Sequence, residues 1–163
     1  MHLLDANVFM EASRMYYTFD IAPGYWNWLI QKHESGEIAS VEAVFDEITA
    51  GSGPLVDWAK TIAPAAFWVE DSADSLVVMR TLSTWAADPA RVYNQAAVDG
   101  FMDSVDLRLI AIAKATGSVL VTRETSDPAC KRRVKIPDAA LVVGVQCVQP
   151  FVAYHRLGLS LTS

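Results

Sequence analysis

The stretch that decides the fold is residues 106–124, which read DLRLIAIAKATGSVLVTRE. Apolar residues recur at helical spacing up to Gly117, and glycine ends helices well because it adopts a left-handed conformation without strain. Residues 119–122 (VLVT) then form a short apolar run, which is typical of strands buried on both faces of a parallel sheet. The stretch therefore predicts a helix, a tight turn and a parallel strand.

The same alternation of helices and short apolar strands extends outward along the chain. Residues 1–6 (MHLLDA) predict a buried strand, and Ser40 is expected to cap a helix that runs to Ala50. Further helices are predicted at 23–35, 55–61, 72–87, 102–116 and 138–145, and from Pro150 onward; further strands are predicted at 38–39, 67–69, 134–136 and 146–149. This alternation predicts an α/β fold with a parallel sheet.

Composition limits the classes of protein that fit. The 163 residues are 52% hydrophobic and 20% charged, so residues 1–163 are expected to form one domain with a full core. Cys130 and Cys147 lack the spacing of a zinc site and are expected to be reduced thiols. There is no signal-peptide pattern, and the most apolar late stretch, 139–154, is shorter than the ~18 apolar residues of a spanning helix. We therefore expect a cytoplasmic protein with no membrane segment.

Four carboxylates lie where an α/β fold places its chemistry. Asp5 ends the first strand and Glu124 follows the strand at 119–122, whereas Asp106 opens one helix and Glu47 lies on another. Sites of parallel sheets form at the carboxyl ends of the strands. Acids that converge there repel one another unless a cation is present, and oxygen ligands without Cys or His favour Mg²⁺ or Mn²⁺. These four acids are therefore the candidate catalytic and metal-binding residues.

Each of the four acids also has a structural interpretation that is the better one when the acid is taken alone. Helix capping, a favourable first-turn charge or an exposed helix face accounts for every one of them. Two further acids leave the assignment open, since Asp103 lies on the same helix face as Asp106 and Asp127 closely follows Glu124. The formal net charge of −6 is unfavourable for binding nucleic acid unless metal ions gather part of the acidic charge.

Several motifs resemble those of PIN-domain nucleases. The opening LLDANVFMEA resembles the first motif of that family, a strand followed by Asp-x-Asn. Residues 106–124 resemble its second block, in which an acid begins a helix, Gly ends it and an apolar strand runs into Thr-x-acid. SVEAVFDEI resembles the helix that carries a single Glu, here Glu47, and VKIPDAALVVGV is similar to a PIN subgroup recorded only as a domain of unknown function. The likeness covers residues 1 to about 148, and it departs from the common pattern at Glu124, where Asp is usual.

This resemblance implies a PIN-like three-layer α/β/α sandwich with a five-stranded parallel sheet. It implies hydrolysis of RNA phosphodiester bonds with Mg²⁺ or Mn²⁺, in which Asp5, Glu47 and Asp106 hold one cation. Glu124 would place a second cation or orient the attacking water. Many such proteins resemble the toxin half of toxin–antitoxin pairs, so an antitoxin protein and a homodimer are the implied partners.

The residues around the acids have expected supporting roles. Asn7 and Thr122 are expected to fix the orientation of the carboxylates. A basic run of Arg123, Arg132 and Arg133, with two nearby lysines, favours contact with RNA phosphates, although a solvated face that offsets the acidic surface fits equally well.

Two rival functions stay open. One is a non-catalytic PIN-like module that binds RNA or a protein partner, which the departure at Glu124 favours. The other is a phosphotransfer domain, since such domains also place an Asp after a strand. One class of them needs a second Asp where this chain has Asn7, and another needs a Lys after a late strand, for which Lys135 is a poor candidate.

Overall fold

A central parallel sheet organises the computed structural model, which describes residues 1–161. Its strands are β1 (His2–Leu4), β2 (Ile38–Val41), β3 (Trp68–Val69), β4 (Val119–Val121) and β5 (Cys147–Val148). They lie in the order β3-β2-β1-β4-β5, and every neighbouring pair is parallel. Leu3, Leu4 and Leu120 are fully buried, so the middle of the sheet is covered on both faces.

Helices cover the sheet and give the three-layer α/β/α arrangement, which confirms the predicted fold class. They are α1 (Ala6–Glu11), α2 (Pro23–Glu34), α3 (Glu42–Thr49), α4 (Pro54–Thr61), α5 (Ala73–Ala87), α6 (Gln95–Met102), α7 (Val105–Thr116), α8 (Ile136–Val142) and α9 (Pro150–Arg156), with a π-helical turn at Ala12–Tyr16 and a 3₁₀ turn at Ala65–Phe67. No helix within residues 1–161 is long and apolar enough to cross a membrane.

The strand order reverses at β1, whose two neighbours are β2 and the much later β4. The register pairs Leu4 with Val121, so β1 and β4 end side by side. In open parallel sheets, a crevice forms outside the carboxyl ends of the strands where the order reverses. Residues directly after β1 and β4 are therefore brought together, although more than a hundred residues separate them.

Helix α7 supplies the third side of this crevice. Its N-cap is Ser104, whose side chain accepts a hydrogen bond from the Leu107 amide at 3.2 Å. Its C-cap is Gly117, with φ of 63°, which confirms the predicted glycine stop. The helix packs against β2 and β4 and against α3 and α5. This packing fixes the first turn of α7 next to the ends of the strands.

Two predictions about local structure are wrong, and a third needs a shifted boundary. Ser40 does not cap a helix: it lies within β2, where its Oγ donates to the Leu4 carbonyl at 2.6 Å, and Val41 is the N-cap. The predicted strand at 134–136 is a loop that enters α8, since Val134 and Ile136 are buried without pairing to the sheet. The helix predicted at 102–116 is present as α7 but begins three residues later, at Val105, because Met102 ends α6 and Ser104 is the N-cap of α7.

Candidate active site

Asp5 is the buried carboxylate at the end of β1. Its backbone amide donates to the Val121 carbonyl at 3.0 Å, and its own carbonyl accepts the first helical hydrogen bond, from Val8 at 3.0 Å. Asp5 therefore occupies the N-cap position of α1, yet its side chain makes no capping hydrogen bond. The side chain is 3% exposed and faces the end of β4 instead. The simple capping interpretation consequently leaves this costly buried carboxylate unexplained.

Thr122 links the ends of β1 and β4. Its Oγ1 donates to Asp5 Oδ2 at 2.9 Å and accepts from the Glu124 amide at 3.1 Å. The threonine is 1% exposed, so both hydrogen bonds are protected from water. One hydroxyl therefore contacts both the Asp5 carboxylate and the turn that carries Glu124.

Glu124 turns back from the β4 end and is tied to α8. Its Oε2 accepts from the Ile136 amide at 2.8 Å, where α8 begins. Gln149 supports the same turn, since its Nε2 donates to the carbonyls of Arg123 and Glu124 at 3.3 and 3.2 Å. The Glu124 side chain is only 8% exposed. The turn after β4 is thus held from two sides, and the longer Glu side chain still reaches the cluster of acids.

Asp106 lies in the first turn of α7 and is partly buried. The pKa of Asp106 is raised by burial and by the nearby negative charge of Glu124, and it is lowered by Arg133; Glu47 adds a smaller upward contribution. Glu47 itself is exposed on α3 and lines a neighbouring cleft. The structure therefore brings Asp5, Asp106 and Glu124 into one cluster, with Glu47 at its outer edge.

The raised pKa of Asp5 shows that its surroundings disfavour a negative charge on this side chain. The pKa is raised from 3.8 to about 7, mainly by burial and further by the negative charges of Asp106 and Glu124, while the hydrogen bond from Thr122 lowers it. Cys147, on the adjacent β5, is perturbed in the same direction: burial and the same two acids, Asp5 and Glu124, raise its pKa to about 11. Near neutral pH the cluster therefore carries less negative charge than its carboxyl groups could supply.

Arg133 provides the positive charge in the cluster. Its Nη2 lies 3.4 Å from Asp106 Oδ2 and is also ion-paired with Glu124 Oε1. Glu124 Oε1 is buried and has no hydrogen-bond donor among the described residues, so the ion pair is its compensation. Arg133 was expected to contact RNA phosphates. In this structure its guanidinium instead neutralises two of the candidate metal ligands.

The donor atoms suit a hard divalent cation because they are carboxylate oxygens, and one of them, the buried Glu124 Oε1, has the Arg133 ion pair as its compensation. Within residues 1–161, however, no three Asp, Glu, His or Cys side chains are already gathered as a ready-made metal site. The guanidinium of Arg133 stands between two of the acids. The chemistry of the cluster fits a cation, and closing around one requires the side chains to rearrange.

Other candidate residues lie outside the cluster. Asn7 is exposed in the first turn of α1, and the orienting hydrogen bond to Asp5 comes from Thr122 instead. Asp103 is exposed and forms the C-cap of α6, so the structure favours Asp106 of that pair. Asp127 is exposed, and its backbone amide donates to the Asp138 carboxylate at 2.9 Å. The structure therefore favours Glu124 over Asp127 as the last acid.

The basic residues divide into two groups. Arg123 is ion-paired with Glu11 at 2.8 Å, away from the acids. Arg132 is exposed and, together with Arg133, lines a cleft of about 290 Å³ that also contacts Asp106. A second cleft, of about 430 Å³, includes Glu47 and lies along the helical turn after α1. Arg132 is thus the predicted RNA contact beside the acids that has no ion pair among the described residues.

Three contacts at the site were missed from sequence: those of Arg133 with the acids, of Gln149 with the β4 turn and of the Ile136 amide with Glu124. A signal existed only for Arg133, which belongs to the basic run near the proposed site. No local pattern marks Gln149 or Ile136, because their contribution depends on how α8 and β5 pack beside β4.

Comparison with known families adds one finding. The profile of a family described as Domain of unknown function (DUF4411) matches residues 2–161, nearly the whole chain. The chain belongs to the DUF4411 family. Neither the curated proteins nor the solved structures that were compared include a significant match. Family membership therefore carries no activity with it, and the function of this DUF4411 protein has to be argued from the acidic cluster.

Proposed function

We propose that this DUF4411 protein is a PIN-like, Mg²⁺- or Mn²⁺-dependent ribonuclease. The observation that carries the proposal is the convergence of Asp5, Asp106 and Glu124 at the carboxyl ends of β1 and β4, with the pKa of Asp5 raised to about 7. Strongly perturbed acids in a crevice are typical of functional sites. Three neighbouring acids repel one another and lower the stability of the fold. Their convergence therefore favours a function that needs all three.

Asp5, Asp106 and Glu124 would hold the cation, and Glu47, whose charge contributes to the raised pKa of Asp106, would be a more distant ligand that acts through water. A bound Mg²⁺ or Mn²⁺ would supply an activated water and would neutralise charge on the scissile phosphate. Thr122 keeps the Asp5 carboxylate facing the crevice through its 2.9 Å hydrogen bond. The exposed Arg132 would contact RNA phosphates in the adjacent cleft.

Cleavage of a labelled single-stranded RNA by the purified protein tests this proposal. We expect cleavage with Mn²⁺ or Mg²⁺, loss of cleavage in EDTA, and a fall of about a hundredfold or more in Asp5→Asn, because a ligand acid is removed. Asp46→Asn is the matched control, since Asp46 is an exposed acid on α3, and it should cleave like the wild type. Undiminished cleavage in EDTA or in Asp5→Asn would contradict a metal-dependent nuclease.

The biological setting implied by the PIN resemblance also remains a proposal. We propose that the protein acts in the cytoplasm as the toxin of a toxin–antitoxin pair, that it forms a homodimer and that a small antitoxin protein inhibits it. Induced expression should then stop cell growth, and co-expression of a small protein encoded next to this gene should restore it. Normal growth during strong expression of active enzyme would argue against the toxin role.

A second candidate function is a non-catalytic module that binds RNA or a protein partner. The ion pairs of Arg133 with Asp106 and Glu124 favour it, because they neutralise part of the cluster with no metal ion. Calorimetric titration with Mn²⁺ separates the two functions. Binding of RNA without any heat of Mn²⁺ binding would favour the non-catalytic module.

A further inference from the structure

Arg133 contacts two acids through a single atom. Nη2 lies 3.4 Å from Asp106 Oδ2 and is ion-paired with Glu124 Oε1. A cation shared by these two carboxylates would approach the same side chains and would compete with Arg133 for their negative charge. The guanidinium therefore lies between the two carboxylates that such a cation would bind.

The segment that carries Arg133 is anchored on both sides, which makes this placement a property of the fold. Ile136, three residues later, donates its amide to Glu124 Oε2 at 2.8 Å. On the other side, Ser126 Oγ and the Asp127 amide precede Arg133 in the chain. Both donate hydrogen bonds to the Asp138 carboxylate in α8. The loop backbone is thus fixed relative to the acids, so any movement of the guanidinium depends on the side-chain torsions of Arg133.

The Arg133 guanidinium lies next to a cleft that could accept it. The Arg133 side chain is 54% exposed, whereas those of Asp106 and Glu124 are 20% and 8% exposed. Beside it lies the cleft of about 290 Å³ lined by Ala96, Gly100 and Arg132. Rotation of the Arg133 side chain toward this cleft would uncover both carboxylates without moving the backbone.

We propose that Arg133 and a divalent cation compete for the carboxylates of Asp106 and Glu124, an inference that rests on the proposed function. Arg133 is then the internal counter-ion of the metal-free protein. Metal binding then exchanges one positive group for another, so the buried Glu124 is never left uncompensated. The released guanidinium joins Arg132 in the adjacent cleft, where it adds positive charge along the path of an RNA strand.

Calorimetric titration with MnCl₂ tests this exchange on the full chain. We expect Arg133→Gln to bind Mn²⁺ about five- to tenfold more tightly than the wild type, since the competing guanidinium is gone. Arg133→Lys, which keeps a competing charge, should bind with an affinity between those of the wild type and Arg133→Gln. The matched control is Arg132→Gln, which removes the same charge from the neighbouring exposed position and should change Mn²⁺ affinity by less than about twofold.

Thermal unfolding supplies a second readout that does not depend on activity. In EDTA, Arg133→Gln should unfold at a lower temperature than the wild type, because Asp106 and Glu124 lose their counter-ion. Saturating Mn²⁺ should raise the unfolding temperature of Arg133→Gln by more than it raises that of the wild type.

The outcomes separate the exchange from the metal site itself. Equal or weaker Mn²⁺ binding by Arg133→Gln would overturn the exchange while leaving the metal site in place. An equal gain in Arg132→Gln would also overturn it, since long-range charge alone would then explain the effect. If no variant binds Mn²⁺, the proposed metal site falls and the exchange falls with it.

Discussion

Replacing Asp5 with asparagine should stabilise the metal-free protein, and the gain should grow as the pH rises. Folding raises the pKa of Asp5 from 3.8 to about 7, because the side chain is buried beside Asp106 and Glu124. The folded chain therefore holds this proton more tightly than the unfolded chain does. The stabilising contribution of the protonated group is complete below pH 4 and is lost as the pH rises to about 7.

The size of the effect follows from the shift. Each pKa unit corresponds to about 1.4 kcal/mol, so ionising Asp5 within the fold costs about 4 kcal/mol in total. Of this amount, about 3 kcal/mol falls between pH 5 and pH 8. Asparagine does not titrate, and its side-chain oxygen can still accept the hydrogen bond from Thr122. The difference in the free energy of unfolding between variant and wild type should therefore rise by about 3 kcal/mol over that range.

Urea unfolding in EDTA at pH 5, 6, 7 and 8 measures this difference. Asp46→Asn is the control, since it removes an exposed carboxylate from α3 and should give a difference that varies little with pH. Saturating Mn²⁺ should reverse the order at pH 8, because it stabilises the wild type through Asp5 and has less to bind in the variant. A difference that stays flat with pH, or an Asp5→Asn variant less stable than wild type at pH 8 in EDTA, would refute the reasoning.

Two further predictions concern the groups around Asp5. Thr122→Val should lower the free energy of unfolding by about 1–3 kcal/mol, because the Asp5 carboxylate and the Glu124 amide both lose a buried partner. Urea unfolding measures the loss, and Thr122→Ser should recover most of it. Equal stability of the Val variant and the wild type would contradict this. Arg132→Gln should weaken RNA binding and reduce the slope of log affinity against log salt by about one, as measured by filter binding. An unchanged slope would instead identify Arg132 as part of a solvated face.

Much of the fold could be predicted because its signals are local. The helical spacing before Gly117 and the apolar run after it correctly predict α7 and β4, and the short apolar stretch around Leu3 predicts β1. The same local reasoning failed at Ser40 and at 134–136. A serine before a helical pattern resembles a cap, and alternating apolar residues resemble a strand, whether or not a neighbouring strand is present to pair with them.

The candidate acids could also be named from sequence, because Asp5 and Glu124 follow buried strands and because the order of all four acids resembles that of the PIN-domain motifs. Their relation to one another could not be read in the same way. Asp5 and Thr122 are 117 residues apart, and only the order β2-β1-β4 places their strands side by side. The role of Arg133 was likewise invisible, since a basic residue in a loop fits an RNA contact as well as it fits an internal ion pair.

By itself, the sequence identified most of the helices and strands, because helical spacing and short apolar runs are local patterns, and it named the side chains that can carry charge. Tertiary structure alone decided that three of those charges meet, that Thr122 orients Asp5 and that Arg133 stands between Asp106 and Glu124. The physical reason is that burial and Coulomb repulsion act through distances in space, and those distances are set by the pairing of strands far apart along the chain.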